Sequence, residues 1–228
     1  MPQRARLYLV RHCDVANPRG VLYGYLPGFG LSEKGLAQAE SLGQRLAGQP
    51  IRLIRTSPLE RARQTAGIIA RHLDSPEIIP DDDLVEARFS LYLQGVPYGQ
   101  VPWRRPLWWV HMVYPGLLRR DETVTAMADR VERSLQRLLD SFPGGSGVCV
   151  SHGDPIQAFW IRHLGRRPWA LHHLQCAKGG MLVVDYVDRR LSGVHYVAPQ
   201  VAAAPAAAAA VDAAPPAGAA PPAGATHL

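Results

Sequence analysis

Lysine is almost missing from this 228-residue chain: Lys34 and Lys178 are the only two, so arginine carries the net charge of +6. Together with an alanine-rich tail, that skew reads as a genome-wide compositional bias. An isolated arginine therefore carries little weight, and arginines count only at motif positions. The positive balance still favours anionic ligands. Cysteine is scarce as well. Cys13, Cys149 and Cys176 are odd in number and widely spaced, which leaves no disulfide framework and no zinc spacing. Long apolar runs are missing too, so no segment is expected to span a bilayer. The N-terminus, Met1-Pro2-Gln3-Arg4, has no apolar signal core and enters a strand at once. These absences together read as a cytoplasmic protein without membrane contact.

What remains is 47% apolar and 19% charged, as in ordinary globular chains. Two parts are expected: one domain over residues 1–200 and a disordered tail over 201–228. The tail is nearly all alanine, proline and glycine, and it has too little to bury to offset its ordering entropy.

Within the domain, residues 5–11 read as a buried strand and residues 12–31 as a loop rich in glycine and proline. Ser32 reads as the cap of a helix to about Ala47, with Leu36, Ala39, Leu42 and Leu46 on its buried face. Ile51 to Thr56 reads as a second strand. Ser57-Pro58 then looks like a cap and first helical position, with Ala62, Ala66, Ile69 and Leu73 facing inward. Asp81-Asp82-Asp83 reads as a solvated turn. A third helix is expected from near Asp121 to about Ser141, a strand over Gly147 to Ser151, and a helix over Pro155 to Leu164 that Asp154 would cap. A hairpin around Asp188-Arg189-Arg190 closes the domain. Strands alternating with helices argue for a three-layer α/β/α sandwich with a mostly parallel central sheet. The stretch from Phe89 to Arg120 breaks the alternation. It holds Pro97, Pro102, Pro106 and Pro115 with Trp103, Trp108 and Trp109, and reads as an inserted lid.

Two histidines stand at strand ends. Arg11-His12 follows the apolar run Leu7-Tyr8-Leu9-Val10, and His152 follows Val148-Cys149-Val150-Ser151. Open α/β sheets carry their chemistry beyond the carboxyl ends of strands, so the two imidazoles can meet at one edge. A fixed cation beside a nitrogen nucleophile suits attack on a phosphoryl group.

Four pieces then align in order: Leu9-Val10-Arg11-His12-Cys13-Asp14-Val15-Ala16-Asn17, Ser57-Pro58-Leu59-Glu60-Arg61-Ala62-Arg63-Gln64-Thr65-Ala66, Leu84-Val85-Glu86 and Val150-Ser151-His152-Gly153-Asp154. The chain resembles the histidine phosphatase superfamily, or phosphoglycerate mutase-like family, over about residues 5–198. The resemblance implies that His12 is the nucleophile and becomes phosphohistidine. It implies that Arg11 and Arg61 grip the phosphoryl oxygens, that His152 adds a donor, and that Glu86 protonates the leaving oxygen. Asn17 and Gly153 match positions beside the phosphate. Two departures stand out: Cys13 where a small residue, often glycine, follows the nucleophile, and Asp14-Val15 in place of a Glu-Thr pair. Cys13 is read as filling space under a loop, with redox sensitivity as the alternative. Glu122-Thr123 resembles a Glu-Ser pair ahead of the late helix in many members.

Elementary chemistry fits those roles. A phosphomonoester carries about two negative charges near neutral pH, and planar guanidinium groups match its oxygens with paired hydrogen bonds. The nucleophilic imidazole must be neutral, and nearby arginines disfavour its protonated form. A carboxylic acid can supply the proton that the leaving alkoxide needs.

The expected function is hydrolysis of a small phosphorylated metabolite, with neither metal nor cofactor. A mutase of the phosphoglycerate type is the alternative, and the short 89–120 insertion favours the phosphatase. A metal hydrolase using His172-His173 with His152 lacks a supporting carboxylate pattern. A nucleic-acid or anion-binding module would draw on Trp103-Arg104-Arg105-Pro106-Leu107-Trp108-Trp109; that segment reads instead as lid or subunit contact. Homodimers are common in the family resembled.

Overall fold

Alternating apolar side chains decide how strand β1 (Arg4–Arg11) sits in the molecule. Leu7 and Leu9 point to one side and join a core with Val131, Leu135, Ile156 and Phe159. Tyr8 and Val10 point to the other and join Ala39, Leu42, Ala62, Ala66 and Ile69. A strand buried on both faces must lie centrally in a covered sheet. Strands β2 (Ile51–Thr56), β3 (Glu77–Pro80) and β4 (Ser146–Ser151) run parallel to it in the sheet order β3-β2-β4-β1. A hairpin of β5 (Met181–Val187) and β6 (Arg190–Val197) continues the sheet beyond β1, with β5 antiparallel to β1 and β6 antiparallel to β5. Five of the six strands therefore share one direction. This computed structural model describes residues 2–114, 117, 121–142 and 144–200. The tail expected to be disordered over 201–228 lies outside the described residues.

In chain order the helices are α1 (Glu33–Leu46), α2 (Glu60–Ala70), the short α3 (Ser90–Leu93), α4 (Val101–Arg104) and α5 (Leu107–Val113), and the longer α6 (Val124–Ser141) and α7 (Gly153–His163). Helices α1 and α2 cover one face of the sheet, and α6 and α7 the other, which makes the α/β/α layering. Burying one leucine or isoleucine fully contributes on the order of 2 kcal/mol. The two cores together therefore hold the strand ends firmly. No described helix is long and apolar enough to cross a membrane.

Several local expectations change. Ser32 does cap α1, accepting the Gly35 N–H at 3.0 Å, but Leu36 is exposed because it lies off the buried stripe. Ser57-Pro58 does not open α2, which starts at Glu60 with Leu59 at the cap position; the Ser57 hydroxyl is turned to His152 instead. Helix α6 begins at Val124, later than expected, because Thr123 caps it through the Ala126 N–H at 3.0 Å. Helix α7 begins at Gly153, so Asp154 sits inside its first turn and His152 holds the cap position. Strand β3 was not expected. Asp81 is not a solvated turn residue: it is buried, and Arg55, Arg137 and Ser134 all donate to it at 2.7 to 2.9 Å. Those cations hold its carboxyl down at about 2 against the opposing cost of burial. The cluster clamps the turn that leads to Glu86.

Candidate active site

Strand register brings the two histidines together. Arg11 of β1 pairs with Ser151 of β4, and the His12 N–H donates to the Ser151 carbonyl at 2.9 Å. The residues that follow each strand therefore emerge side by side, with the His12 and His152 rings 5.1 Å apart between centroids. Strand β2 ends on the far side of β4, where the Ser57 N–H donates to the Val150 carbonyl at 2.9 Å. The turn beyond it delivers Arg61 into the same place on the first turn of α2.

Arg61 is almost fully buried and organises the cluster. Its Nε donates to His12 Nε2 at 3.3 Å, and its Nη2 donates to His152 Nδ1 at 3.1 Å and to the Gly24 carbonyl at 3.0 Å. The guanidinium lies over the Tyr23 ring, 4.8 Å from its centroid. Gly24 is needed at that turn: its φ is +45°, and a Cβ there would stand 2.8 Å from the Ser90 carbonyl oxygen. These contacts also settle the tautomers. His12 Nδ1 lies 2.8 Å from the Cys13 carbonyl, which can only accept, so Nδ1 carries the proton and Nε2 presents its lone pair. A guanidinium can only donate, so His152 Nδ1 accepts and its Nε2–H donates to Ser57 Oγ at 2.8 Å. Burial and then the Arg61 charge push both imidazoles well below their ordinary value, so both are neutral.

Arg11 closes the cluster from β1. Its Nη1 donates to the Cys176 carbonyl at 2.6 Å, while its Nε is buried without a hydrogen-bond partner among the described residues. An orphaned guanidinium N–H at a cavity wall is a donor waiting for an anion. Gly153 permits this approach, since a Cβ there would stand 3.2 Å from the Arg11 guanidinium carbon.

Glu86 follows the Asp81 clamp. Its Oε2 is 3.8 Å from His152 Nδ1, and its Oε1 accepts the Ala87 N–H at 3.0 Å. Burial, and then the neighbouring charge of Asp154, raise its carboxyl to about 7 against the opposing pull of Arg61. Its backbone is braced as well. The Tyr25 hydroxyl donates to the Glu86 carbonyl at 2.5 Å, and Arg130 Nη1 donates to the Asp83 and Val85 carbonyls at 2.7 and 2.6 Å. Arg130 is itself paired with Glu122 at 2.8 Å.

The structure thus brings Arg11, His12, Arg61, Glu86, His152 and Gly153 to one sheet edge. Asn17 stands apart from this group in its bonding: its side chain donates to the Val21 carbonyl at 2.8 Å and accepts the Val21 N–H at 3.1 Å, tying the glycine-rich loop. Cys13 is fully buried, and burial pushes its thiol up to about 12, so thiolate chemistry is disfavoured there. Of the expected lid, Trp108 lines the cavity while Trp103 is 82% exposed. Sequence reasoning takes Ser57 and Asp154 as helix caps, although both stand inside the aligned pieces, and it holds no signal for Tyr25 or Arg130.

The cavity at this edge measures about 440 Å³ and is lined by Arg11, Arg61, Glu86 and Asp154 on one side and by residues of the 89–112 segment on the other. Two guanidinium groups and two acidic side chains thus line this cavity, and the neutral His12 and His152 rings are packed behind Arg61.

The family model of the histidine phosphatase superfamily, branch 1, matches residues 7–198. The chain belongs to that superfamily. It is 34% identical over 200 residues to an uncharacterized protein of Mycobacterium tuberculosis, covering 87% of this chain and 98% of that one. It is 30% identical over 186 residues to a probable phosphoglycerate mutase GpmB of Cronobacter sakazakii, covering 79% and 85%. It is 28% identical over 189 residues to phosphoserine phosphatase 1 of Hydrogenobacter thermophilus, covering 81% and 88%. Among solved structures, YhfR of Bacillus stearothermophilus matches with a TM-score of 0.71 at 23% identity, over 79% of this chain and 90% of that one.

Proposed function

We propose that this protein hydrolyses a small phosphomonoester through a phosphohistidine on His12, using its own side chains and no metal ion. The observation that carries the reading is the His12 ring itself. Its Nδ1–H is held by the Cys13 carbonyl, and its Nε2 lone pair is aimed at the Arg61 guanidinium. An anion held by Arg61 and Arg11 would present its phosphorus to that lone pair.

In the first step His12 Nε2 forms an N–P bond as the P–O bond to the alcohol breaks, and Glu86 delivers its proton to the departing oxygen. A carboxyl raised to about 7 keeps about half its population protonated in neutral solution, so a proton donor is at hand. The guanidinium groups and His152 stabilise charge spread over the equatorial oxygens. In the second step water attacks phosphorus, Glu86 takes the water's proton, and the N–P electrons return to His12. Inorganic phosphate and the free enzyme result.

A mutase reading has one specific observation behind it, the 30% identity to a protein named as a probable phosphoglycerate mutase. Both readings pass through the same phosphoenzyme. Product analysis with 3-phosphoglycerate separates them: free phosphate means hydrolysis, and 2-phosphoglycerate means isomerisation. A screen for phosphate release over many phosphomonoesters, run with chelator and with a His12→Ala control, tests the proposal. Release that survives chelator and vanishes in the variant is the expected result. Release that persists in the variant, or that stops with chelator, would remove it.

A further inference from the structure

The wall facing the phosphoryl-transfer group differs sharply from the cradle. Residues 89–112 contribute Phe89, Leu93, Val101, Trp108 and Met112 to it, with Ser90, Tyr98 and His111 as the polar groups among them. The same segment contains Arg104 and Arg105, but neither lines the cavity. Arg105 turns away, donating to the Tyr92 carbonyl at 2.6 Å with its guanidinium over the Tyr92 ring. The remaining cation among the described lining residues, Lys178, is already paired with Asp14 at 2.7 Å.

Among the described lining residues, the polar groups that remain include two histidines and two acidic side chains. His111 is buried, stacks on Phe89 with ring centroids 4.0 Å apart, and has its Nδ1 2.6 Å from the Asp121 carboxylate. That contact sets an acidic neighbour beside the His111 ring. His172 is pushed down to about 4 by burial, so it is neutral. Glu86 and Asp154 add acidic groups to the same cavity.

Resting on the phosphatase reading above, we infer that the leaving group is an uncharged alcohol with an apolar body, and not an acidic one such as phosphoglycerate or phosphoserine. The physical reason is a difference of environments. An apolar body gains by leaving water for the Phe89, Leu93, Trp108 and Met112 surface. A carboxylate placed there would lose its hydration and find, beyond the two arginines that hold the phosphoryl group, no unpaired cation among the described lining residues. The phosphoryl charge is met by the arginines in either case, so the wall discriminates through the rest of the molecule.

The test compares 2-phenylethyl phosphate with 3-phosphoglycerate and O-phosphoserine. All three are esters of aliphatic alcohols, so intrinsic leaving-group reactivity is similar. We expect kcat/KM for 2-phenylethyl phosphate to exceed that for either acidic ester by at least about 100-fold, the scale of a buried, unpaired charge. Trp108→Ala should raise KM for 2-phenylethyl phosphate about tenfold with kcat little changed. Met112→Arg should shrink the preference about tenfold by giving the wall a cation, and it serves as a check should Trp108→Ala fold poorly. Equal or better turnover of 3-phosphoglycerate would overturn the inference and leave the phosphatase reading standing. No phosphate from any ester, with no phosphorylation of His12, would remove both.

Discussion

The cradle and the facing wall are built by different means. His12, Arg61 and His152 hang from strand ends and a helix start whose neighbours are buried on both faces of the sheet, and their contacts form one closed set of donors and acceptors. The wall is assembled from short helices and turns between Ser90 and Val113, interrupted by prolines. The cradle is fixed by fold topology, so its reacting groups are held by the sheet itself. The wall is fixed by packing within its own segment and by backbone bonds to the glycine-rich loop, such as the Leu22 N–H to the Val96 carbonyl at 2.8 Å. It can change its side chains without disturbing the sheet, which is where selectivity belongs.

If this contrast is right, changes in the cradle remove turnover and changes in the wall only redistribute it. The largest effect is expected from His12→Ala, which should lower phosphate release by at least about 10⁴-fold in a steady-state assay while circular dichroism stays unchanged. Next, Arg61→Lys keeps the charge but loses the forked donors that reach both imidazoles, and kcat should fall about 10² to 10³-fold. Melting temperature should report whether that loss is chemical or a failure to pack the buried stem.

Glu86→Gln should lower kcat about 10²-fold by removing the proton donor. For wild type acting on an alkyl phosphate, the phosphorylation rate should decline as pH rises through about 7, because the protonated form of Glu86 is lost there. Rapid-quench measurements across pH 5 to 9 read this directly, and a flat profile would reassign the acid. The same carboxyl affects stability. Its folded pKa is raised, so its favourable contribution is complete below its ordinary carboxylate range and disappears as pH rises through about 7. Glu86→Gln should therefore be more stable than wild type at pH 8, by up to about 3 kcal/mol, and not at pH 4. Chemical denaturation at the two pH values checks the sign.

The smallest effect on turnover is expected from Asp81→Asn, which touches no reacting atom. It leaves Arg55 and Arg137 without their shared anion and should cost on the order of 3 kcal/mol of stability, with kcat reduced only severalfold through a looser Glu86 turn. Asp81 has a depressed pKa, so its contribution is present above its ordinary value and is lost as pH falls through about 2. The gap between wild type and variant should accordingly close in strong acid.

How much of this was legible in the sequence follows the same division. Strands β1 and β2, helix α1 and the buried faces of α2 and α6 announced themselves by apolar spacing, because their neighbours are the sheet itself. The residues around His12, Arg61 and His152 were legible as a resemblance, and their convergence followed from strand ends sharing an edge. Strand β3 was hidden because it is four residues long, sits at the edge and ends in Pro80, so neither length nor alternation marks it. Asp81 looked solvated because its partners, Arg55 and Arg137, lie far away in sequence and reach it only after β2 and α6 pack. Ser57 looked like a helix cap because a serine before proline usually is one; its partner stands 95 residues on. The wall had no period to read, since turns and one-turn helices bury side chains irregularly.

The central claim is that His12 Nε2 becomes covalently bound to phosphorus. Rapid quench of the enzyme with a ³²P-labelled phosphomonoester, followed by peptide mapping, tests it most directly. The account predicts an acid-labile, base-stable label on the peptide carrying His12, formed and lost at rates that match turnover. Label on any other residue, or full turnover with no covalent phosphorus at all, would contradict it.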